Sequence, residues 1–529
     1  VGVGCARAPP LERAGAEDGA EDGAEDGAED GAEDGAEDGE ERRVGNPNVV
    51  VIMADQHRAD VLGCAGDPFV HTPHLDRLAA EGVRFRRTSC QGPLCMPARA
   101  SFLTERYVRD HGVYTNWNAV EPGTPTYLHA LREAGYHTVA LGKHHLTKED
   151  EPAPHMDLLA PRLEERGFAE VHETGDKFTL SVPTRYSDHL AAKGLWDTYL
   201  QHMLDRQYQG QSGRGDNPTK RIPMWDTTPM PLPLEDYIDP WHGDLAVDWI
   251  AGYEGDAPFF AFVGFPGPHD PWDAPREAVE TYASGETSFP VSTRRPDVGA
   301  AGSYGRLLDA FLRLSDTTTM DDDAIRSMRR AYAASVAVID AQVGRIVAAL
   351  EARGVLDDTW IIYTSDHGEM GGNHSMMSKC VLYDPAVQVP LIVRPPGGRP
   401  GRVVDDLVEH IDVPATVRAI AGAPDLPASD GRSLLGYVTG SDPEPRTVSI
   451  SENWGFGSFD TGDHKLVVDE DALVPCALFD RAVDPAEDHN VVADPQYAAV
   501  VEAIMDTHVR PFLAPGPTRP YPSPFTDHA

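Results

Sequence analysis

Four short, mostly apolar runs rich in β-branched and aromatic residues punctuate the chain, at residues 48–54, 136–141, 258–265 and 359–364. None shows the in–out alternation of a half-exposed strand, so each reads as a strand buried on both faces of a parallel sheet. Between them, apolar positions recur at helical spacing. Leu75, Leu78 and Ala79 follow the start signal Thr72-Pro73, a helix is predicted over 126–134, and 323–353 carries Ile325, Met328, Ala331, Tyr332, Val336, Ile339, Val343, Ile346 and Val347. Strands alternating with helices predict an α/β fold, a large mostly parallel sheet sandwiched by helices. A later strand at 389–393 and a helix at 412–421 extend this core. Short alternating runs at 448–451 and 465–468 predict a small antiparallel sheet near the C-terminal end.

Each of the four apolar runs breaks off into polar residues: Asp55-Gln56-His57, Gly142-Lys143-His144-His145, Pro268-His269-Asp270-Pro271 and Ser365-Asp366-His367-Gly368-Glu369. Ligands of such sheets bind beyond the carboxyl ends of the strands. Asp55, Lys143, His145, His269, Asp366 and His367 are therefore predicted to converge, although they lie far apart in sequence. The polar stretch 149–240 reads as an insertion over the core, of the kind that shapes access to a site. The expected organisation is an acidic leader over 1–45, a catalytic domain over 46–440 and a small C-terminal subdomain over 441–529.

Charge changes this picture in one respect. The chain has 529 residues, 41% apolar and 25% charged, with a net charge of −40. Residues 16–39 are six copies of Ala-Glu-Asp-Gly, and with Glu40 and Glu41 they carry 14 of the 85 acidic residues. Such a run has no large apolar side chain and repels itself, so it is expected to be disordered and is set aside from the fold. An acidic surface also argues against a nucleic-acid partner. No stretch approaches the roughly 18 uninterrupted apolar residues of a membrane span. Six cysteines without a CxxC pair point to a reducing, cytoplasmic setting; the start at Val1 resembles neither a Met start nor a signal peptide, which leaves export open.

The sharpest local pattern is Pro93-Leu94-Cys95-Met96-Pro97-Ala98-Arg99. Cys95 stands just before a helix with Pro97 in its first turn, so the positive helix end and Arg99 are expected to favour a thiolate or another anion there. Cys95-x-Pro97-x-Arg99, followed by Gly142-Lys143-x-His145 and Asp366-His367-Gly368, resembles the sulfatases, in which this cysteine is oxidised to Cα-formylglycine. The likeness continues through residues 72–83, 383–393 and Leu478-Phe479-Asp480 with Asp484-Pro485 and Glu487. It therefore spans nearly the whole globular part of the chain.

The resemblance implies an alkaline phosphatase-like fold and hydrolysis of a small sulfate ester to an alcohol and inorganic sulfate. Asp55, Gln56, Asp366 and His367, with residue 95, would hold one divalent metal. Hard oxygen donors suit Ca²⁺ or Mg²⁺, and the histidine also admits Mn²⁺. The formylglycine hydrate derived from Cys95, steadied by Arg99, would be the nucleophile, with His145 as the base that lets it collapse again. Lys143 and Lys379 would neutralise sulfate oxygens, His269 would protonate the leaving alcohol, and Asn116 would donate a hydrogen bond to the anion. A formylglycine-generating enzyme is the implied maturation partner; nothing in the sequence sets an oligomeric state.

Three departures qualify the match. Ala98 replaces the more usual Ser of the motif, Gln56 stands where many sulfatases have a second Asp, and His367 stands where many have Asn. The Asp-Gln and Asp-His pairs resemble the branch that holds choline sulfatases and phosphonate monoester hydrolases. Phosphonate monoester or phosphodiester hydrolysis is therefore the alternative reaction, and a non-catalytic binding protein on the same scaffold is the alternative from another class. Trp225, Trp241 and Trp272 could stack on a substrate ring, or serve only as packing anchors. His57, His71, His74, His111, His144 and His374 read as turn or capping residues, and Cys64, Cys90, Cys380 and Cys476 as free thiols.

Overall fold

The computed structural model describes residues 46–147, 153–206, 225–282, 295–314 and 321–516. The acidic leader and part of the expected insertion lie outside them. Twelve strands are present among the described residues: β1 (Asn48–Asp55), β2 (Val83–Ser89), β3 (His137–Gly142), β4 (Glu170–Glu173), β5 (Phe259–Pro268), β6 (Thr359–Ser365), β7 (Leu391–Arg394), β8 (Arg402–Glu409), β9 (Ser449–Asn453), β10 (Phe456–Asp460), β11 (His464–Asp469) and β12 (Val474–Asp480). The first eight form one sheet in the order β4-β3-β5-β1-β6-β7-β2-β8, and the last four form an antiparallel sheet in the order β12-β11-β10-β9.

The four runs recognised by hydrophobicity are the four contiguous central strands β3, β5, β1 and β6, paired in parallel. Their burial explains their pattern. Val49, Val51 and Met53 of β1 face one apolar core, with the helices Cys95–Thr104, Tyr127–Glu133 and Asp412–Ala421; Val50, Ile52 and Ala54 face the other. With both faces dry, no position along the strand is left for a polar side chain. Only β7 runs against its neighbours in this sheet. Helix Asp322–Ala352 is long and apolar enough to cross a membrane by length and composition alone, but its Ile339, Val343, Ile346 and Leu350 are buried against the second core, so it is a core helix.

The insertion reading needs one amendment. Within 149–240, Glu170–Glu173 pairs with β3 and forms the edge of the main sheet, so the stretch contributes to the core as well as lying over it. A four-residue edge strand carrying Glu170, His172 and Glu173 has no hydrophobic run to reveal it.

Two local features hold the frame of the site. Helix Pro73–Ala80 is pinned by Asp340, whose carboxylate accepts the N–H groups of Leu75 at 2.8 Å and His74 at 3.3 Å. Burial raises this carboxyl from the usual 3.8 to about 6 even though both N–H donors pull the other way. The folded chain then binds the proton more tightly than the unfolded chain between those values, so stability is expected to fall as pH rises through that window. The loss from Asp340 is about 3 kcal/mol. Comparing chemical denaturation of wild type and Asp340→Asn on either side of this window checks it: equal pH slopes in the two proteins would remove Asp340 as the cause.

The second feature is the close approach of β3 and β5. A Cβ on Gly264 would lie 1.9 Å from the carbonyl oxygen of Lys143, and one on Gly142 would lie 2.2 Å from that of Gly264. Gly264→Ala is expected to cost about 1–3 kcal/mol or more through overpacking and to displace Lys143. Thermal unfolding together with turnover tests this, and wild-type values for both would contradict it.

Candidate active site

The end of β1 carries Asp55, and the end of β6 is followed by Asp366 and His367; all three are fully buried. Gln56 turns the chain with φ +71°, a left-handed value for a non-glycine residue. It is held there because its N–H donates to Asp366 Oδ1 at 3.0 Å and its carbonyl accepts the Tyr332 hydroxyl at 2.6 Å. Cys95 opens the helix Cys95–Thr104, every residue of which is buried. Asn116, expected to donate to a bound anion, accepts the N–H of Met96 on its carbonyl oxygen at 3.1 Å, which secures the first turn of that helix.

Asp55, Cys95, Asp366 and His367 meet with one ligand atom each inside a sphere where all lie within 4.8 Å of one another. Cys95 Sγ is 3.3 Å from His367 Nε2 and 3.9 Å from Asp55 Oδ1. Arg99 Nε donates to Asp366 Oδ2 at 2.9 Å, and its Nη2 reaches Asp55 Oδ2 at 3.2 Å. Lys143 Nζ is 2.7 Å from the same Asp55 oxygen. The cations thus take the Oδ2 atoms, while the Oδ1 atoms turn towards Cys95 and His367. His367 Nδ1 faces the Gly368 carbonyl at 3.0 Å, which fixes its proton there and leaves the Nε2 lone pair pointing into the cluster. Two hard carboxylate oxygens and an imidazole lone pair, gathered in a buried cluster, fit a divalent cation.

The charge states agree with this geometry. Burial would raise the Asp55 carboxyl, but Lys143, His269, Arg99 and His367 together hold it well below the usual range. Burial lowers His367 to about 4, so it is neutral at neutral pH. The surroundings of Cys95 do not favour the expected thiolate. Burial pushes the thiol up and Asp55 reinforces that, because the Arg99 guanidinium is committed to Asp366, Asp55 and the Lys143 and His144 carbonyls.

Around this centre stands a second ring. Lys379 donates to the Gln56 side-chain carbonyl and faces His269 Nε2. The Gln56 amide donates to Glu369, whose other oxygen accepts the N–H groups of Gly371 at 2.9 Å and Ser378 at 2.6 Å. The Gln56 oxygen, expected as a metal ligand, is therefore engaged by an ammonium group, with one lone pair to spare. His269 Nδ1 faces the Asp270 carbonyl at 2.7 Å, leaving Nε2 as the acceptor towards Lys379. Burial and Lys379 both lower its pKa. His145, half-buried with φ +53°, lies within electrostatic reach of Lys143, Asp176, Arg99 and Asp55; burial and Lys143 lower it to about 4.

Three residues given no role from sequence complete the surroundings. Glu369 orients Gln56, as described. Asp176 Oδ2 is 3.5 Å from Lys143 Nζ, and Lys177 Nζ donates to the carbonyls of His269 at 2.8 Å and Pro271 at 3.2 Å. Glu369 could have been read from its position three residues after Asp366 on the same polar strand end. Asp176 and Lys177 carried no pattern. The structural readings of several other residues hold: His57 bridges the Tyr363 hydroxyl and the Val61 carbonyl, His144 lies between Glu173 and the Phe262 carbonyl, and Trp272 is wholly buried. Cys64, Cys90, Cys380 and Cys476 are free thiols.

Two buried carboxylates and a histidine beside a cysteine at the head of a helix, on the carboxyl rim of a mostly parallel sheet, mark a hydrolase of the alkaline phosphatase-like superfamily. The family model for sulfatases matches residues 47–423, and the chain belongs to the sulfatase family, the family of sulfuric ester hydrolases. A second family model, N-sulphoglucosamine sulphohydrolase C-terminal, matches residues 372–510. Among curated relatives, an uncharacterized sulfatase of Escherichia coli K12 is 30% identical over 87% of this chain and 86% of its own. A multifunctional alkaline phosphatase superfamily protein of Trinickia caryophylli is 29% identical over 86% of this chain and 93% of its own. Among solved structures, the phosphonate monoester hydrolase of Agrobacterium radiobacter superposes with a TM-score of 0.73 at 27% identity, covering 87% of this chain and 94% of that one.

Proposed function

We propose that this chain hydrolyses a small sulfate monoester at the rim formed by Asp55, Cys95, Asp366 and His367, after a formylglycine-generating enzyme has oxidised Cys95. The observation that carries the reading is the pair of lysines flanking one carboxylate–histidine cluster. Lys143 sits 2.7 Å from Asp55, and Lys379 is held between Gln56 and His269. Burial lowers the pKa of both ammonium groups, but the surrounding anions outweigh it and raise them, so both stay charged.

Asp55, Asp366 and His367 would hold the divalent cation, with Ca²⁺ favoured by the oxygen donors and Mn²⁺ or Mg²⁺ as alternatives; when bound it supplies positive charge against the sulfate oxygens. Formylglycine, formed from Cys95, would supply an oxygen nucleophile at residue 95 in place of the thiol. Arg99 orients residue 95 by locking both carboxylates. Lys143 and Lys379 bind the non-bridging oxygens from two sides. His269, its Nδ1 proton held by the Asp270 carbonyl, presents Nε2, which once protonated would pass its proton to the leaving oxygen. His145, lowered to about 4 and half-exposed, would serve as the base beside residue 95. Asn116 keeps the helix end in place with its carbonyl and has its amide left to donate to the anion.

Phosphonate monoester hydrolysis is the second reading, supported by the likeness to phosphonate monoester hydrolases of Agrobacterium radiobacter and Silicibacter pomeroyi. Gly142-Lys143-x-His145 favours sulfate, because the resemblance assigns that lysine–histidine pair to sulfatases. One preparation of matured protein, assayed on an aryl sulfate and on the matching aryl phosphonate monoester, is expected to give the higher kcat/KM with sulfate. A phosphonate preference of about 100-fold, or 3 kcal/mol in transition-state binding, would replace the first reading by the second.

A further inference from the structure

A cavity of about 580 Å³ opens between β2, the loop after β1 and the segment 485–488, a volume within the range of small-molecule sites. None of Asp55, Cys95, Lys143, Asp366 or Lys379 lines it. Apolar surface in its lining comes from Ala65, Pro485 and Ala486, none of them fully buried.

Most of the charge around it is already matched. Arg58 pairs with Asp60 at 2.7 Å, Arg86 with Asp405 at 2.7 Å, and Glu487 with Lys465 at 2.5 Å, while Arg481 binds Asp384 and Asp460. Asp488 lies 3.8 Å from His374. Arg84 and Arg87 differ: both are half-buried on β2, and among the described residues neither closes an ion pair or hydrogen bond, Arg87 meeting Asp384 only at longer electrostatic range. Strict alternation along a strand would send positions 84 and 87 to opposite faces. Pairing with β8 is irregular there, an extra residue of β8 lying between Val404 and Leu407, and both long arginine side chains line the same cavity. The side-chain carbonyl of Gln388 on the cavity wall is also buried without a donor.

Guanidinium groups partly withdrawn from water without an acceptor are costly, the more noticeably so in a chain of net charge −40 where carboxylates are plentiful. We propose that this cavity is a second ligand site, separate from the catalytic rim, for a small organic anion. Its sulfate, sulfonate or phosphate head sits between Arg84 and Arg87, its apolar body rests against Ala65, Pro485 and Ala486, and a hydroxyl on that body satisfies Gln388. The bidentate fork of arginine suits such oxyanion heads.

Isothermal titration of the full chain with naphthalene-1-sulfonate, and with uncharged naphthalene-1-methanol as control, tests this. The sulfonate is expected to bind wild type and Lys143→Ala alike, the alcohol to bind neither, and the double variant Arg84→Gln/Arg87→Gln to weaken sulfonate binding about tenfold or more. Neither arginine has a carboxylate to orphan, so the double variant should unfold at the wild-type temperature; if it does not, the two single variants carry the comparison. The site is refuted if wild type does not bind the sulfonate, if the arginine variants bind it unchanged, or if binding disappears in Lys143→Ala, which would put the probe at the rim.

Discussion

Cys95→Ala is expected to lower turnover of an aryl sulfate by about 10⁴- to 10⁶-fold, the scale seen when an enzyme loses its nucleophile. Stability should change by no more than about 1 kcal/mol. The side chain makes no strong bond to lose: its sulfur lies 3.3 Å from His367 Nε2 and 3.9 Å from Asp55 Oδ1. Because burial and Asp55 keep the unmodified thiol protonated, wild-type protein made without a formylglycine-generating enzyme should be as inactive as the variant. Mass spectrometry of the peptide holding residue 95, paired with turnover of the same sample, decides the matter. Full activity in protein whose Cys95 is an unmodified thiol would end the proposed mechanism.

Arg99→Ala should damage both stability and catalysis. Its guanidinium is buried, donates to Asp366 at 2.9 Å, pairs with Asp55 at 3.2 Å and caps the Lys143 and His144 carbonyls at 2.9 and 3.2 Å. Removal leaves two adjacent buried carboxylates facing one another with one fewer cation, a loss of about 3–5 kcal/mol. Turnover should fall about 10²- to 10³-fold in the protein that still folds, since residue 95 and the carboxylates lose their common brace. Arg99→Lys should recover little, because one ammonium cannot span two carboxylates and two carbonyls. Thermal unfolding and kcat/KM of both variants test this, and a lysine variant with near wild-type values would show that charge alone suffices at this position.

The legibility of the fold followed burial. Strands β1, β3, β5 and β6 could be read because both faces of each are dry, so their residues are apolar almost without interruption. Strands β2, β4 and β8 could not. β2 reads Val-Arg-Phe-Arg-Arg-Thr-Ser and β8 Arg-Val-Val-Asp-Asp-Leu-Val-Glu, partly exposed strands at one end of the sheet, and β4 is four residues at the other. In each, charged side chains reach solvent and the hydrophobic signal is lost.

For the site, the local words carried the chemistry and not its wiring. That Cys95, Arg99, Asp55, Asp366 and His367 belong together was readable from motif order and from polar residues placed at strand ends. Which oxygen of Asp55 faces Lys143, that Gln56 is held by Glu369 and Lys379, and that Asn116 braces Met96 were not readable. Nor was the part of Asp176 and Lys177, which reach Lys143 and the His269 carbonyl from beyond the edge strand.

The amino-acid order thus carried the central strands, the helices between them and the types of group brought to the rim, since period and end-residue chemistry are properties of a short stretch. Partners, protonation and the second cavity arose only once the chain had folded. A hydrogen bond or a shifted pKa depends on what lies within a few ångströms, and here those neighbours come from positions up to 300 or more residues away, such as Gln56 and Glu369.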